Sequence, residues 1–243
     1  TIVSEALKPL CEKDDVLQLA LSIDPEITKN APNLLRIYYG LESEMKLMAD
    51  FIKSINGKKV AALYIDTPED RLGIEKYFKS YLSENGIEFV GSETYSFMDK
   101  SVRNQLLKLK RLNPDFIMTI DFGYMYPIIL KEAESLGIRE KILGGLGMMT
   151  APKMPPSLTS GIYFAAGGFV ISPTKEFIEF SDKYKQKFGK DITFDGVYTY
   201  DTFNILVNNL IQGKDKKSDF INKSYKGISG EIFIDEEGKA KVD

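Results

Sequence analysis

The stretch K-V-A-A-L-Y-I at residues 59–65 is a continuous apolar run of strand length, the kind covered on both faces of a parallel sheet. Residues 66–71 (D-T-P-E-D-R) turn the chain, and Leu72, Ile74, Phe78 and Leu82 then recur at helical spacing until Asn85-Gly86 stops the helix. The alternation repeats downstream. Residues 87–90 read as a strand and 100–112 as a helix with Val102, Leu106 and Leu109 on one stripe. Asn113-Pro114-Asp115 breaks that helix, and 116–120 (F-I-M-T-I) form a third strand. Ile128, Ile129, Ala133 and Leu136 line another helix, ended by Gly137, and 142–143 make a short strand running into Gly144-Gly145-Leu146-Gly147. Repeated βα units of this length imply a parallel sheet with helices on both faces, joined by right-handed crossovers.

Outside this region the pattern is looser. Residues 148–160 are Pro-rich and aperiodic, which predicts a surface loop, and 161–170 (G-I-Y-F-A-A-G-G-F-V) read as a strand or crossover with a glycine kink. Two helices follow. The first carries Phe177, Phe180, Tyr184 and Phe188 and ends at Gly189; the second runs over 196–212 with Tyr200, Phe203, Leu206 and Leu210. Aromatic stripes at this spacing are expected in a core. Residues 230–238 (G-E-I-F-I-D-E-E-G) predict a strand and a tight turn.

Composition narrows the function. The chain has 243 residues, 43% hydrophobic and 28% charged, and a formal net charge of −3. That is a globular composition, with no electrostatic reason to expect nucleic acid or anionic lipid as a partner. Histidine is absent altogether, which removes the commonest general base and the commonest transition-metal ligand. The single Cys11 can form no intrachain disulfide and, with no imidazole to activate it, reads as a small apolar helix residue. No apolar run approaches the ~20 residues of a membrane span, and no signal peptide is visible in the sequence.

Nucleotide and hydrolase motifs are missing where they should stand. The strand ending at Ile65 is followed by an acidic turn that would repel a pyrophosphate, and the glycines at 144–147 lack the dinucleotide spacing. No P-loop, G-x-S-x-G elbow or H-E-x-x-H occurs. Carboxylate pairs such as Glu69-Asp70 and Glu236-Glu237 are expected in turns and on the surface. The chain is therefore read as a non-enzyme needing no cofactor and no metal. Ligands of open parallel α/β sheets sit beyond the C-terminal ends of the strands, so 66–71, 121–126 and 145–149 are the segments to watch.

The order of segments resembles the branched-chain amino-acid binding protein family, the type I periplasmic solute-binding receptors of ABC transporters. The resemblance rests on 59–73, on 85–90, and on 99–115 (D-K-S-V-R-N-Q-L-L-K-L-K-R-L-N-P-D). It extends through 133–138 (A-E-S-L-G-I), 198–201 (Y-T-Y-D) and 227–238 (G-I-S-G-E-I-F-I-D-E-E-G). It covers essentially the whole chain, and its specificity lies in order and spacing, not in any one motif. It implies an α/β fold of two Rossmann-like lobes with parallel sheets: lobe one from 1–37 and 168–243, lobe two from 38–167, with hinge strands near Arg36-Ile37 and Ala166-Gly167. The chain starts at Thr1, without an initiator Met, at the helix that in the family follows the opening βα units. Lobe one is thus expected to be incomplete, the natural protein longer, and any targeting signal or membrane anchor outside this sequence.

The resemblance further implies an extracytoplasmic receptor that closes on a small molecule and delivers it to an ABC transporter permease. The alternative with the same fold is the ligand-sensing domain of a kinase, chemoreceptor or transcription regulator; a relative that binds no ligand is a further reading. Carried over residue by residue, the ligand carboxylate would meet hydroxyls of lobe one, for which Ser4, Ser22 and Thr1 are the candidates. The usual Tyr-Gly of the acidic turn is replaced by Asp70-Arg71, and the aromatic after the third lobe-two strand is Phe122. The acid that pairs with an α-ammonium falls at Leu146, which cannot neutralise a buried charge. Asp70 or Asp121 could take its place. The expected ligand is accordingly not a standard α-amino acid but a more apolar molecule, or an organic acid paired with Arg71.

Overall fold

The computed structural model describes residues 2–242, which fall into two compact units: 2–41 with 167–242, and 42–166. In chain order, helix α1 (Ile2–Lys13) leads into β1 (Gln18–Ala20) and β2 (Leu34–Arg36), and α2 (Leu41–Ser54) opens the second unit. There follow β3 (Lys59–Ile65), α3 (Pro68–Leu72), a π-helical turn (Gly73–Phe78), α4 (Lys79–Glu84) and β4 (Glu88–Tyr95). Next come α5 (Arg103–Arg111), β5 (Phe116–Ile120), α6 (Tyr126–Ser135), β6 (Ile142–Gly144), α7 (Pro156–Thr159) and β7 (Tyr163–Phe164). The chain ends through α8 (Gly168–Ile171), α9 (Lys175–Phe188), α10 (Phe194–Leu210), β8 (Lys223–Lys226), β9 (Glu231–Ile234) and β10 (Ala240–Val242).

The second unit is a five-stranded parallel sheet in the order β4-β3-β5-β6-β7. Alternation along β3 explains its unbroken apolar run. Ala61, Leu63 and Ile65 join the core cluster formed with Leu106 and Leu109 of α5 and Ile129, Leu130 and Ala133 of α6. Val60, Ala62 and Tyr64 are buried as well, so neither face of the strand reaches water. Two expectations change. Residues 161–170 hold only the two-residue β7 and then a helical turn, α8, because Gly167 and Gly168 leave nothing to continue a strand. The stretch 148–160 contains a 3-10 turn (Leu146–Thr150) and α7, whose Leu158 is buried in the core.

The first unit carries two small sheets. β1 and β2 pair in parallel, while β8, β9 and β10 form an antiparallel meander, which the reading of parallel sheets alone did not include. The Arg36 N–H donates to the Gly238 carbonyl (2.8 Å), tying β2 to the β9–β10 turn. Leu35, Ile37, Ile205, Phe220, Ile232, Ile234 and Ala240 make the core of this unit. α10 turns a different face inward from the one its aromatic stripe predicts: Val197, Tyr198, Asp201 and Ile205 are buried, while Tyr200, Phe203 and Leu210 are exposed. In α9 no residue is fully buried; Phe180 packs on Tyr200 with ring centroids 4.0 Å apart.

Asp201 sets which face of α10 turns inward. Its carboxylate accepts from the backbone N–H of Ile228 (2.8 Å) and Ser229 (2.9 Å), holding the turn before β9. Asp201→Ala strands both buried donors and is expected to cost about 2–4 kcal/mol by urea unfolding; Asp201→Asn, which keeps an acceptor, should cost less than half of that.

Candidate functional site

The chemistry of the second unit gathers at the C-terminal ends of its strands. Asp121 follows β5 directly and is buried; its Oδ1 accepts from the N–H of Gly123 (2.6 Å) and Met125 (3.0 Å), and its Oδ2 from the Tyr95 hydroxyl (2.7 Å). Burial raises its pKa against the pull of these donors. The carboxylate is thus the knot that ties the β4 and β5 ends together and starts α6. Phe122, one residue on, is 50% exposed.

The loop after β6 is built from beneath. The Gly145 N–H donates to the Tyr126 hydroxyl (2.9 Å), which in turn donates to the Thr119 carbonyl (3.0 Å). The Leu146 N–H donates to Glu44 Oε1 (2.7 Å). Close approach demands the glycines: a Cβ on Gly145 would stand 2.5 Å from Glu44 Oε1, and one on Gly147 would stand 1.6 Å from the Asp121 carbonyl oxygen. The segments after β5 and β6 therefore lie backbone to backbone.

Glu44 was absent from the sequence reading, although a signal for it exists. It sits on α2 among Leu41, Met45, Met48 and Ile52, in the middle of the apolar face, and is 4% exposed. Burial, opposed by the Leu146 hydrogen bond and helped by the charge of Asp70, pushes its pKa up to about 7. Asp70 behaves likewise. Thr67 caps α3, accepting from the Asp70 N–H (3.1 Å) and donating to Asp70 Oδ2 (2.8 Å), while Asp70 Oδ1 is buried without a partner. Burial, with the neighbouring charges of Glu69 and Asp121, brings its pKa to about 7. The Glu69-Asp70 pair is therefore not a surface feature as a whole, because Asp70 is 1% exposed.

The other expected site residues fall as follows. Arg71 is exposed and ion-paired with Asp66. Leu146 is buried in the loop after β6, with its backbone and not its side chain facing a carboxylate. In the first unit, Ser22 is buried after β1 and its Oγ accepts from the Asp24 N–H (3.2 Å). Ser4 is half-buried on α1, its carbonyl accepting from Gln18 Nε2 (2.9 Å). Thr1 lies outside the described residues. Among the described residues no group of three or more His, Cys, Asp or Glu side chains is arranged to hold a metal ion, and no helix is long and apolar enough to cross a membrane.

A parallel sheet with loops crowding its C-terminal edge agrees with comparison to known proteins. The profile of a family described as "Periplasmic binding protein" matches residues 1–227. The chain belongs to that family. Among solved structures, a solute-binding protein of an ABC transporter from R. palustris, in complex with 4-hydroxybenzoate, superposes with a TM-score of 0.85 at 18% identity, over 98% of this chain and 69% of the other. The leucine-binding protein LivK of Thermotoga maritima gives 0.79 at 24% identity, over 98% and 71%. The substrate-binding protein LivJ of Streptococcus pneumoniae, in complex with isoleucine, gives 0.80 at 21% identity, over 98% and 70%. No curated protein matches the chain. These likenesses assign the type I periplasmic-binding-protein fold, and the family is one of extracytoplasmic solute-binding proteins, not of enzymes.

Proposed function

We propose that this periplasmic binding protein is the receptor of an ABC importer. It would bind a small molecule against the C-terminal edge of the five-stranded sheet, close its two units on it, and present it to a membrane permease. The observation that carries this reading is the pinning of the post-β5 and post-β6 loops by Asp121, Glu44 and Tyr126. Such a framework holds Phe122 and the 145–147 backbone in fixed positions before any ligand arrives, which lowers the ordering cost of binding. Hinge closure then follows from contacts that favour the shut state over the open one.

The ligand is proposed to be other than leucine, isoleucine or valine. Leu146 offers no charge to an α-ammonium, and Asp121 already accepts three hydrogen bonds. Arg71, engaged by Asp66, gives an organic acid little support from this unit. Thermal melting against a panel of metabolites tests both parts. One or more compounds at about a hundred times their Kd should raise the melting temperature by several degrees, while the three amino acids should not. Micromolar affinity for any of the three would sink the ligand assignment, and a panel without a single stabilising compound would sink the receptor reading.

A further inference from the structure

Three rings stand half-exposed at the C-terminal edge of the second unit's sheet. Phe97, on the turn after β4, is 55% exposed, and Phe122 and Tyr124, after β5, are 50% and 38% exposed. Phe97 lies nearly parallel to both, at 13° to Phe122 with centroids 5.8 Å apart and at 16° to Tyr124 with centroids 6.2 Å apart. Together the three form an open shelf.

The turns that carry them are fixed. Asp99 Oδ2 accepts from the Ser96 N–H (2.8 Å) and the Asp99 N–H donates to the Ser96 carbonyl (3.1 Å), closing the turn that presents Phe97. The Phe122 carbonyl accepts from the Thr150 hydroxyl (2.9 Å), and Asp121 holds the N–H groups of Gly123 and Met125 on either side of Tyr124. The shelf is apolar and preorganised.

The segments that bear the rings also bear acids: Asp99 closes the turn that presents Phe97, and Asp121 stands directly before Phe122. Among the described residues, cations seat on the rings of Tyr77, Phe89 and Phe188, and on none of these three. An electron-rich ring face flanked by carboxylates attracts a cation and repels an anion.

We infer that Phe97, Phe122 and Tyr124 form the part of the binding surface that receives a small organic cation: an amine with an aromatic or apolar body, stacked on the shelf with its charge toward Asp99, on the turn that carries Phe97. This rests on the receptor reading above and names the ligand class for it. The chemistry differs from that of an organic acid, which would meet the Asp99 carboxylate and electron-rich ring faces here.

Isothermal titration calorimetry of the full chain with benzylamine, benzyl alcohol and benzoate tests the inference, because the three differ in charge and little in shape. Benzylamine should bind about tenfold tighter than benzyl alcohol, and benzoate more weakly than either. Phe97→Leu and Tyr124→Leu, at exposed positions that should leave folding intact, should collapse the preference for amine over alcohol. Equal or tighter binding of benzyl alcohol or benzoate, unmoved by the two variants, would overturn the cation assignment while leaving the receptor reading in place. A chain that binds none of the three, yet is stabilised by an anionic metabolite from the panel, would do the same. Binding to nothing in the series or the panel removes both. A concentration-dependent dimer abolished by Phe97→Asp would also overturn it, by showing that the shelf is a contact between copies.

Discussion

Glu44→Gln is expected to stabilise the protein by about 3 kcal/mol at pH 8 and to leave it almost unchanged at pH 4. Glu44 is buried with no basic side chain among its named partners, and its pKa rises from 4.5 to about 7. A carboxyl whose folded pKa lies above its unfolded value binds more protons when folded. Stability therefore falls as pH rises through that window and is fully reduced above pH 7. At about 1.4 kcal/mol per pKa unit the shift corresponds to roughly 3 kcal/mol. Glutamine keeps an oxygen for the Leu146 N–H without a charge to bury. Asp70, raised from 3.8 to about 7 mainly by burial, adds a second contribution of the same sign, so the variant should retain part of the pH slope. Urea unfolding at half-unit intervals from pH 4 to 8 measures this, and curves for parent and variant that run parallel throughout would refute it. Glu44→Ala is the control: it removes the same buried charge but leaves the Leu146 N–H unpaired, so it should be less stable than Glu44→Gln at every pH.

The same residue marks where sequence reasoning stops. β3, β5 and the helices that cover them were legible because a strand buried on both faces and a one-sided helix each impose a period on the side chains. Phe116–Ile120 matches the expected 116–120 strand, and Lys59–Ile65 the expected 59–65. Glu44 has no such signal of its role, because a charged residue on a helix suggests exposure unless its partners are known, and Leu146 lies 102 positions away. α10 failed for a related reason. Aromatic residues suggested one buried face, but Asp201, polar and buried at the turn before β9, selects another. Long-range hydrogen bonds to backbone leave no periodic trace. Asp70, Asp121 and Phe122 could be named in advance, since the ends of parallel strands are where such sheets bind. Whether a side chain there turns inward, like Asp70, or out to a neighbour, like Arg71, depends on contacts that a single sequence does not carry.

Asp121→Ala should be the most damaging substitution at this edge of the sheet. Its carboxylate accepts from three buried donors: the Tyr95 hydroxyl and the N–H groups of Gly123 and Met125. Alanine leaves all three unpaired, and at about 1–3 kcal/mol for each stranded buried group the expected loss is roughly 3–9 kcal/mol. A loss of that size in a protein of marginal stability would unfold the second unit near body temperature. Asp121→Asn separates the roles. Its amide oxygen can still take both backbone donors, and its NH₂ can donate to a Tyr95 hydroxyl that turns to accept, so the cost should fall to about 1–2 kcal/mol. Tyr95→Phe removes only the third bond and should cost about as much as the asparagine variant. Because the two residues share one hydrogen bond, the effects should not add: the double variant Asp121→Asn, Tyr95→Phe is expected to lose less than the sum of the two singles. A cost below about 1 kcal/mol for Asp121→Ala, or strict additivity in the Tyr95 cycle, would mean that the post-β5 loop is held by its glycine packing against residue 147 and not by the carboxylate.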